Sequence, residues 1–280
     1  MVVILPYQLG QDLVWIPTKR SSGRRLHFFE HLQEELEMNL TGKRALVTGA
    51  AGGIGGAITS MFRTAGAQVA AADLNTDGID AEVHLPGDLT DQNYTKVLPS
   101  LAAEALGGLD ILINNAGIMR RGKVTDSSDE DFDISVSVNV KAPFHLCRAA
   151  IPIMVTNGGG AIVNTASCWG VHPGPDHAVY CMTKAAIASL TQCMGRDHAH
   201  QGIRINAVCP NEVDTPMLRT GFKMRGFDPT TALEQLDKTV PLGRVAKPED
   251  IAEVVLFLAS DHARYMCGEL LEINGGKSVA

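Results

Sequence analysis

The chain is predicted to adopt an α/β fold in which helices cover both faces of a parallel sheet. From Lys43 onward, short apolar runs alternate with longer helix-like stretches, which is the pattern of repeated strand–helix–strand units. A glycine-rich turn at residues 49–56 follows the first apolar run, as in doubly wound folds. With 280 residues, of which 45% are hydrophobic, the chain can bury one sizeable core. These observations predict a single doubly wound, Rossmann-type domain with a sheet of about seven strands.

Short apolar runs supply the predicted strands of this sheet. They are residues 44–48, 68–72, 82–85, 109–114, 161–165, 203–208 and 270–273. The longer stretches between them predict helices at residues 54–65, 92–105, 129–154, 177–200 and 248–258. Because the stretch between Asp73 and Asp88 is short, we expect its connecting helix to have only about one or two turns.

Residues 1–37 form a predicted N-terminal extension outside the domain of residues 38–280. The apolar residues 1–6 are too few for the core of a signal peptide, and the basic residues follow them instead of preceding them. A mitochondrial transit peptide would also combine basic and serine residues. The segment departs from that pattern by its acidic residues, which are Glu30, Glu34, Glu35 and Glu37. We expect an accessory extension that takes no part in catalysis.

Composition excludes several classes of function. The formal net charge is −7 and the pI is about 5.7, which argues against a nucleic-acid partner. The six cysteines show no C-x-x-C spacing and no clustering with histidines, so free thiols in a reducing compartment are expected. No run approaches the roughly 18 apolar residues that span a bilayer. The composition therefore predicts a cytoplasmic protein without a membrane, nucleic-acid or metal partner.

The glycine-rich turn lies between the first predicted strand and the first predicted helix and has the spacing Gly49-x-x-x-Gly53-x-Gly55. Glycines in this position let the backbone approach a pyrophosphate at the N-terminus of the helix. The second strand ends in Asp73, at the place where a carboxylate binds the hydroxyls of an adenosine ribose. The two features together predict a dinucleotide cofactor.

Two residues four positions apart, Tyr180 and Lys184, lie on one face of a predicted helix. A phenol with a pKa of about 10 is a poor base near neutrality, and a nearby cation lowers that pKa. Tyr180 is therefore predicted to be the general acid/base in the oxidation of a secondary alcohol. Ser167, upstream of the pair, would donate a hydrogen bond to the substrate oxygen as charge develops on it.

In their order and spacing, these motifs resemble the short-chain dehydrogenase/reductase family. The resemblance covers the chain from about Leu40 onward. It rests on Thr48 to Gly55, Gly87-Asp88-Leu89, Asn114-Asn115-Ala116-Gly117, Asn139, Ser167, Tyr180 with Lys184, and Thr215-Pro216-Met217. It implies that Lys184 also binds the nicotinamide ribose and that the backbone carbonyl of Asn139 holds a water connecting Lys184 to solvent. It further implies a homotetramer paired through the helices at residues 129–154 and 177–200.

The cofactor is predicted to be NAD(H) rather than NADP(H). Asp73 would repel a 2′-phosphate, and the turn has no basic side chain to receive one. The resemblance adds an adenine contact at Asp88 and places Asn115 on the nicotinamide side of the groove. The predicted cofactor-binding set is Gly49, Gly52, Gly53, Ile54, Gly55, Asp73, Leu74, Asp88, Leu89, Asn115, Ala116, Gly117, Tyr180, Lys184, Pro210, Val213 and Thr215.

The predicted substrate pocket is polar. Its predicted contacts are Ser167, Trp169, His177, Tyr180 and Glu212. Glu212 follows Pro210-Asn211, where many members of the family have Pro-Gly, and it would bring a carboxylate near the nicotinamide. Residues 215–240, which we term the lid, carry the basic residues Arg219, Lys223 and Arg225. We expect a small hydroxylated substrate, neutral or anionic, such as a sugar, polyol or hydroxy acid.

Three other functions are weighed against this one. Trp169 and Phe222 could instead receive an aromatic or cyclic apolar alcohol. A ketoacyl-carrier-protein reductase would be expected to use NADPH, which Asp73 opposes. A cofactor-sensing regulator without turnover would be favoured by loss of Tyr180 or Lys184, and both are present.

Overall fold

The computed structural model describes residues 3–9, 12–18 and 38–277. The chain divides into two units, residues 1–39 and residues 40–280. The first unit contains an antiparallel pair of strands, β1 (Val3–Leu9) and β2 (Asp12–Thr18). We did not predict these strands. The rest of the predicted extension lies outside the described residues, and its separation from catalysis stays a prediction.

The second unit contains a fully parallel sheet of seven strands, which confirms the predicted fold class. The spatial order is β5-β4-β3-β6-β7-β8-β9, so the connections run in opposite directions on either side of the β3–β6 pair. The strands are β3 (Arg44–Thr48), β4 (Gln68–Asp73), β5 (Val83–Pro86), β6 (Ile111–Asn114), β7 (Gly160–Thr165), β8 (Ile203–Pro210) and β9 (Leu270–Ile273).

Helices cover both faces of this sheet. They are α1 (Gly53–Thr64), α2 (Gln92–Leu106), α3 (Asp129–Val136), α4 (Ala142–Thr156), α5 (Cys168–Val171), α6 (Ala178–His198), α7 (Pro216–Met224), α8 (Pro229–Asp237) and α9 (Pro248–Ala259). Leu46 of β3, Leu98 of α2 and Leu146 of α4 belong to one buried cluster. Side chains alternate along a strand, so the neighbouring Val47 points to the opposite face, where α1 and α9 pack against each other.

Two of the helix predictions were wrong. The helix predicted at 129–154 is interrupted by a π-helical turn at Ser137–Lys141. The short helix predicted between Asp73 and Asp88 is absent, because residues 74–82 form an irregular turn. Glu82, predicted to begin β5, lies outside the strand and its carboxylate accepts a 2.7 Å hydrogen bond from the N–H of Val69. A side chain therefore replaces part of the expected backbone pairing.

The lid forms two helices, α7 and α8, which we had not predicted as helices. Thr215 caps α7 by accepting from the N–H of Leu218 at 3.3 Å, and Pro216 occupies its first position. Asp228 caps α8 in the same way, with Pro229 after it. A capping residue followed by proline is a recognised start signal that was visible in the sequence. None of the described helices is long and apolar enough to cross a membrane.

Candidate active site

The carboxyl ends of β3, β4, β6, β7 and β8 open into a cavity of about 750 Å³. The cavity lies where the strand order reverses between β3 and β6, which is the usual ligand position in doubly wound sheets. All the predicted cofactor-binding and substrate-binding residues line this cavity. Among the predicted catalytic residues only Asn139 does not line it, and Asn139 is buried.

The glycine-rich turn has the geometry of a phosphate-binding loop. Gly49 has a φ of +66°, a conformation that side chains disfavour. A Cβ atom on Gly55 would collide with the carbonyl oxygen of Gly49. Helix α1 begins at Gly53 without a side-chain cap, so N–H groups of its first turn are left to bind an anion. These residues therefore fit the pyrophosphate of a dinucleotide.

Asp73 lies at the end of β4 beside this turn. Its carboxylate accepts hydrogen bonds from the N–H groups of Ala51 at 2.9 Å and Leu74 at 2.7 Å. A carboxylate has about four acceptor positions, so two remain for ribose hydroxyls. The protein's own bonds thus fix the orientation of the Asp73 carboxylate at the cavity wall.

Asn115 has a structural role in addition to its place in the cavity wall. Its amide donates to the carbonyl oxygens of Thr48 at 3.1 Å and Gly49 at 3.2 Å. Its backbone N–H donates to the hydroxyl of Thr48 at 3.1 Å. These bonds tie the end of β6 to the glycine-rich turn and use both amide donors, so Asn115 shapes the floor of the groove.

Ser167, Tyr180 and Lys184 lie together beyond the end of β7. Ser167 caps the short helix α5, and Tyr180 and Lys184 lie one turn apart on α6. The ammonium of Lys184 is 5.9 Å from the centre of the Tyr180 ring and donates a 2.7 Å hydrogen bond to the carbonyl oxygen of Thr165. The i, i+4 spacing therefore brings the phenol and the ammonium into one site, as predicted.

Burial controls the protonation of this group. The Lys184 side chain is buried, which lowers its pKa to about 8. Burial also raises the pKa of the Tyr180 phenol, while the hydrogen bond with Ser167 and the charge of Arg121 act in the opposite direction. Burial thus outweighs the groups that lower this pKa in the protein by itself, and the lowering expected from Lys184 together with a cationic nicotinamide stays a prediction. In the protein without cofactor, the raised pKa keeps the Tyr180 phenol protonated at neutral pH.

Asn139 lies in the π-helical turn between α3 and α4. Its side chain accepts from the N–H of Ile118 and donates to the carbonyl oxygen of Ile118, both at 2.9 Å. It also donates to the hydroxyl of Thr183 on α6 at 3.1 Å. Asn139 thus joins the loop after β6 to the helix that carries Tyr180 and Lys184. The further role expected of Asn139, in which its backbone carbonyl holds a water molecule that connects Lys184 to solvent, stays a prediction.

Comparison with known proteins agrees with this geometry. A family model described as enoyl-(acyl carrier protein) reductase matches residues 49–278. The 3-oxoacyl-(acyl-carrier-protein) reductase FabG of Thermotoga maritima is 36% identical over 250 residues, which cover 85% of this chain and 99% of the relative. The chain belongs to the short-chain dehydrogenase/reductase family.

Solved structures of other short-chain dehydrogenases/reductases share the fold. The ligand-free aldohexose dehydrogenase of Thermoplasma acidophilum is 30% identical and has a TM-score of 0.82, with 86% of this chain and 96% of that chain covered. A 3-ketoacyl-(acyl-carrier-protein) reductase of Brucella melitensis, complexed with NADH, is 31% identical with a TM-score of 0.78 and coverage of 86% and 100%. This short-chain dehydrogenase/reductase is an enzyme that interconverts secondary alcohols and ketones with a nicotinamide cofactor.

The unusual carboxylate of this short-chain dehydrogenase/reductase, Glu212, has a partner. Its side chain accepts a 2.7 Å hydrogen bond from the ammonium of Lys277, which lies 65 residues away in the sequence. Both side chains are about one-fifth exposed, at 20% and 21%. The negative charge that we expected to face the substrate is therefore balanced by the C-terminal segment.

The basic residues that line the cavity of this short-chain dehydrogenase/reductase differ from those expected. Arg219 forms two 2.7 Å hydrogen bonds with Asp214 and does not line the cavity, and Lys223 also lies outside it. The arginines that do line it are Arg225, from the lid, and Arg121, which sequence analysis missed. Arg121 follows closely after the motif Asn114–Gly117, and this proximity was the available signal.

Proposed function

We propose that this short-chain dehydrogenase/reductase uses NAD(H) to interconvert a secondary alcohol and a ketone on a small polar substrate. The observation that carries the cofactor choice is the carboxylate of Asp73 at the end of β4. Among the described residues that line the adenosine end of the cavity, none is basic. A 2′-phosphate would therefore meet a like charge without a compensating cation.

When bound, the nicotinamide supplies the acceptor or donor of the hydride. Tyr180 would take the hydroxyl proton during oxidation and return it during reduction. Ser167 would hold the substrate oxygen, because the hydrogen bond from its hydroxyl to the carbonyl oxygen of Pro210 is long, at 3.4 Å, and the hydroxyl can turn to the substrate. Lys184 would bind the nicotinamide ribose and support the charge change at Tyr180. The α7–α8 lid would exclude water from the reacting atoms.

Cofactor preference can be tested without a known substrate. We expect the Kd of NADH, measured by fluorescence titration, to be at least about tenfold lower than that of NADPH, a difference of about 1.4 kcal/mol. Asp73→Ser should remove most of this preference. Asp77→Ser is the matched control, since Asp77 is an exposed carboxylate of the same loop outside the cavity. Equal affinities in the wild-type enzyme would contradict the assignment.

A polar substrate is supported by the residues at the catalytic end of the cavity, which include His177, Arg121 and Arg225. The polarity of the substrate is tested by comparing the turnover of sugars, polyols and hydroxy acids with that of aryl and cyclic apolar alcohols, each with NAD. A clear preference for the apolar alcohols would contradict it. We further propose that the enzyme is cytoplasmic and forms a homotetramer. The assembly is supported by the partly exposed apolar side chains of Phe144 on α4 and Met182 on α6.

A ketoacyl-carrier-protein reductase is the second candidate, favoured by the similarity to the enzymes of Thermotoga maritima and Brucella melitensis. This alternative predicts reduction of acetoacetyl-acyl carrier protein at a higher kcat/KM than that of the small ketones formed by oxidising the alcohols above. The polar-substrate proposal predicts the reverse, so one set of assays separates the two.

A further inference from the structure

Two arginines meet at the catalytic end of the cavity. Arg121 lies in the loop that follows β6, and Arg225 caps the C-terminus of α7 in the lid. Both line the same cavity as Tyr180, and the charge of Arg121 acts on the Tyr180 phenol. A group bound by these arginines would therefore lie near the reacting carbon.

The position of Arg121 is held by backbone and side-chain contacts. The N–H of Gly122 donates to the carbonyl oxygen of Asp176 at 2.8 Å, and the N–H of Ala178 donates to the carbonyl oxygen of Gly122 at 3.3 Å. His177 donates from Nδ1 to the carbonyl oxygen of Pro175 at 2.8 Å, which leaves Nε2 as an acceptor. Nε2 lies 2.5 Å from Nη1 of Arg121.

The ring of His177 is in turn packed against Trp169, with ring centres 4.4 Å apart. Burial lowers the pKa of His177, so the imidazole stays neutral and can accept from the guanidinium. Trp169 and His177, which were predicted to touch the substrate, thus also orient Arg121.

Arg225 approaches the same point from the lid. Its Nε donates to the carbonyl oxygen of Gly221 at 3.0 Å, and its guanidinium lies over the rings of Phe222 and Phe227, 5.2 and 5.5 Å from their centres. A Cβ atom on Gly221 would lie 3.4 Å from Nη2 of Arg121. The two guanidinium groups therefore converge on one residue of α7.

This pair carries a positive charge that no carboxylate of the described residues balances through an ion pair. The adjacent Arg120 is paired with Asp131 at 3.0 Å, and Arg219 of the lid is paired with Asp214. Burial and the charge of Arg225 lower the pKa of Arg121, and its side-chain hydrogen-bond partner His177 is neutral, so its protonated form has no anionic partner among the described residues. A bound anion would provide that partner.

We propose that Arg121 and Arg225 bind a carboxylate of the substrate, and that the enzyme oxidises a small hydroxy acid. The planar guanidinium of each arginine can form paired hydrogen bonds with a carboxylate. This inference rests on the proposed function, because it assigns one end of the substrate that Tyr180 oxidises. It places the reacting hydroxyl at Tyr180 and the carboxylate between the loop after β6 and the lid.

Matched substrate pairs test the proposal. Each pair combines a hydroxy acid with the alcohol in which CH₂OH replaces the carboxylate, for example D-gluconate with D-glucitol and 3-hydroxybutyrate with butane-1,3-diol. We expect the wild-type kcat/KM to favour the acid of the best pair by at least about tenfold, as for a charge-assisted contact. Arg121→Gln and Arg225→Gln should each lower the acid-to-alcohol ratio at least about tenfold, mainly through KM.

Arg120→Gln is the matched control, because the neighbouring arginine has its own carboxylate and lies outside the cavity. It should leave the ratio within about twofold of wild type, as expected for an exposed ion pair. A wild-type preference for the neutral alcohols, or an Arg121→Gln variant with an unchanged ratio, would overturn the carboxylate site. A higher kcat/KM for phosphate esters of the same polyols would also overturn it.

A binding measurement separates failure of this site from failure of the proposed function. If no pair is oxidised with NAD, and no sugar or other polyol is oxidised either, the proposed function fails. The site is then judged by the Tm of the enzyme with NADH, which malonate should raise in the wild type and not in Arg121→Gln. Propane-1,3-diol is the neutral reference. No rise with malonate in the wild type would overturn the site independently of turnover.

Discussion

At the scale of single residues, the catalytic group shows how burial and hydrogen bonding determine reactivity. Ser167 and Lys184 are almost completely buried, and Asn139 behind them is also buried. Each has a hydrogen-bond partner within the protein, so none remains as an unsatisfied polar group in the core. These bonds hold the polar groups in place before substrate binds, which is the preorganisation that catalysis needs.

The first prediction concerns Tyr180→Phe. This change removes the proton-transfer group but keeps the ring, so we expect kcat to fall at least about 10²-fold while the Kd of NADH stays within about threefold. Tyr94→Phe is the control, because it removes another phenol, one that donates to the carbonyl oxygen of Leu85 at 2.6 Å. The control should retain turnover. Retention of more than about a tenth of the activity by Tyr180→Phe would exclude the general acid/base role.

The second prediction concerns Lys184 and pH. Its pKa is about 8 in the folded chain, against an ordinary value of 10.5, so the folded state binds fewer protons between these values. Stability should therefore rise as pH increases from 8 to 10.5. Lys184→Met removes the free-energy cost of burying a charged ammonium. We expect the variant to be inactive but about 1–3 kcal/mol more stable than wild type at pH 7.

Urea unfolding of both proteins at pH 7 and pH 10 checks this expectation. The stability difference between wild type and Lys184→Met should narrow at the higher pH, because the wild-type lysine is then largely neutral. A variant that is less stable by the same amount at both pH values would show that the lost hydrogen bond to Thr165 outweighs the burial of charge.

At the scale of secondary-structure elements, the turn between β3 and α1 is the proposed site of the cofactor pyrophosphate. Gly55 lies against Gly49 and Asn115, with no room for a side chain. The third prediction is that Gly55→Ala weakens NADH binding at least about tenfold and lowers the Tm, because the turn must move. Isothermal titration with NADH and a thermal melt measure the two effects.

Gly56→Ala is the control for the turn, one position further along the helix. A Cβ atom at Gly56 would lie 3.6 Å from the nearest atom, the carbonyl oxygen of Ala50, which is an ordinary contact. This variant should bind NADH normally and gain about 0.5–1 kcal/mol, since alanine favours a helix interior over glycine. Equal losses in the two variants would refute a specific role for Gly55.

At the scale of the whole molecule, the unit of residues 40–280 contains the sheet, its helices and the cavity. The fourth prediction is that a chain starting at Met38 folds, forms a tetramer and turns over like the full chain. Light scattering should give four times the chain mass for both forms. Loss of activity in the shorter chain would contradict the assignment of residues 1–37 as non-catalytic, and a monomer mass would contradict the tetramer.

Much of the fold and of the catalytic group could be predicted because the signals are local. The strand β3, the turn that follows it and the start of α1 are neighbours in the chain, and so are Tyr180 and Lys184 on one helix turn. The interruption of the helix after Val136 could not be predicted, because Asn139 adopts its place through bonds to Ile118 and Thr183. Those partners lie 21 and 44 residues away.

The sequence by itself determined the fold class and the family and predicted the residues of the candidate site, since periodicity, turn chemistry and motif spacing depend on near neighbours. Only the tertiary structure decided which charged side chains line the cavity and which are paired within the protein. Glu212 is neutralised by Lys277, Arg219 is paired with Asp214, and Arg121 is held at the cavity by His177, 56 residues away. Whether a charged side chain is free for a ligand depends on partners that folding brings together, and the spacing of a motif does not contain that information.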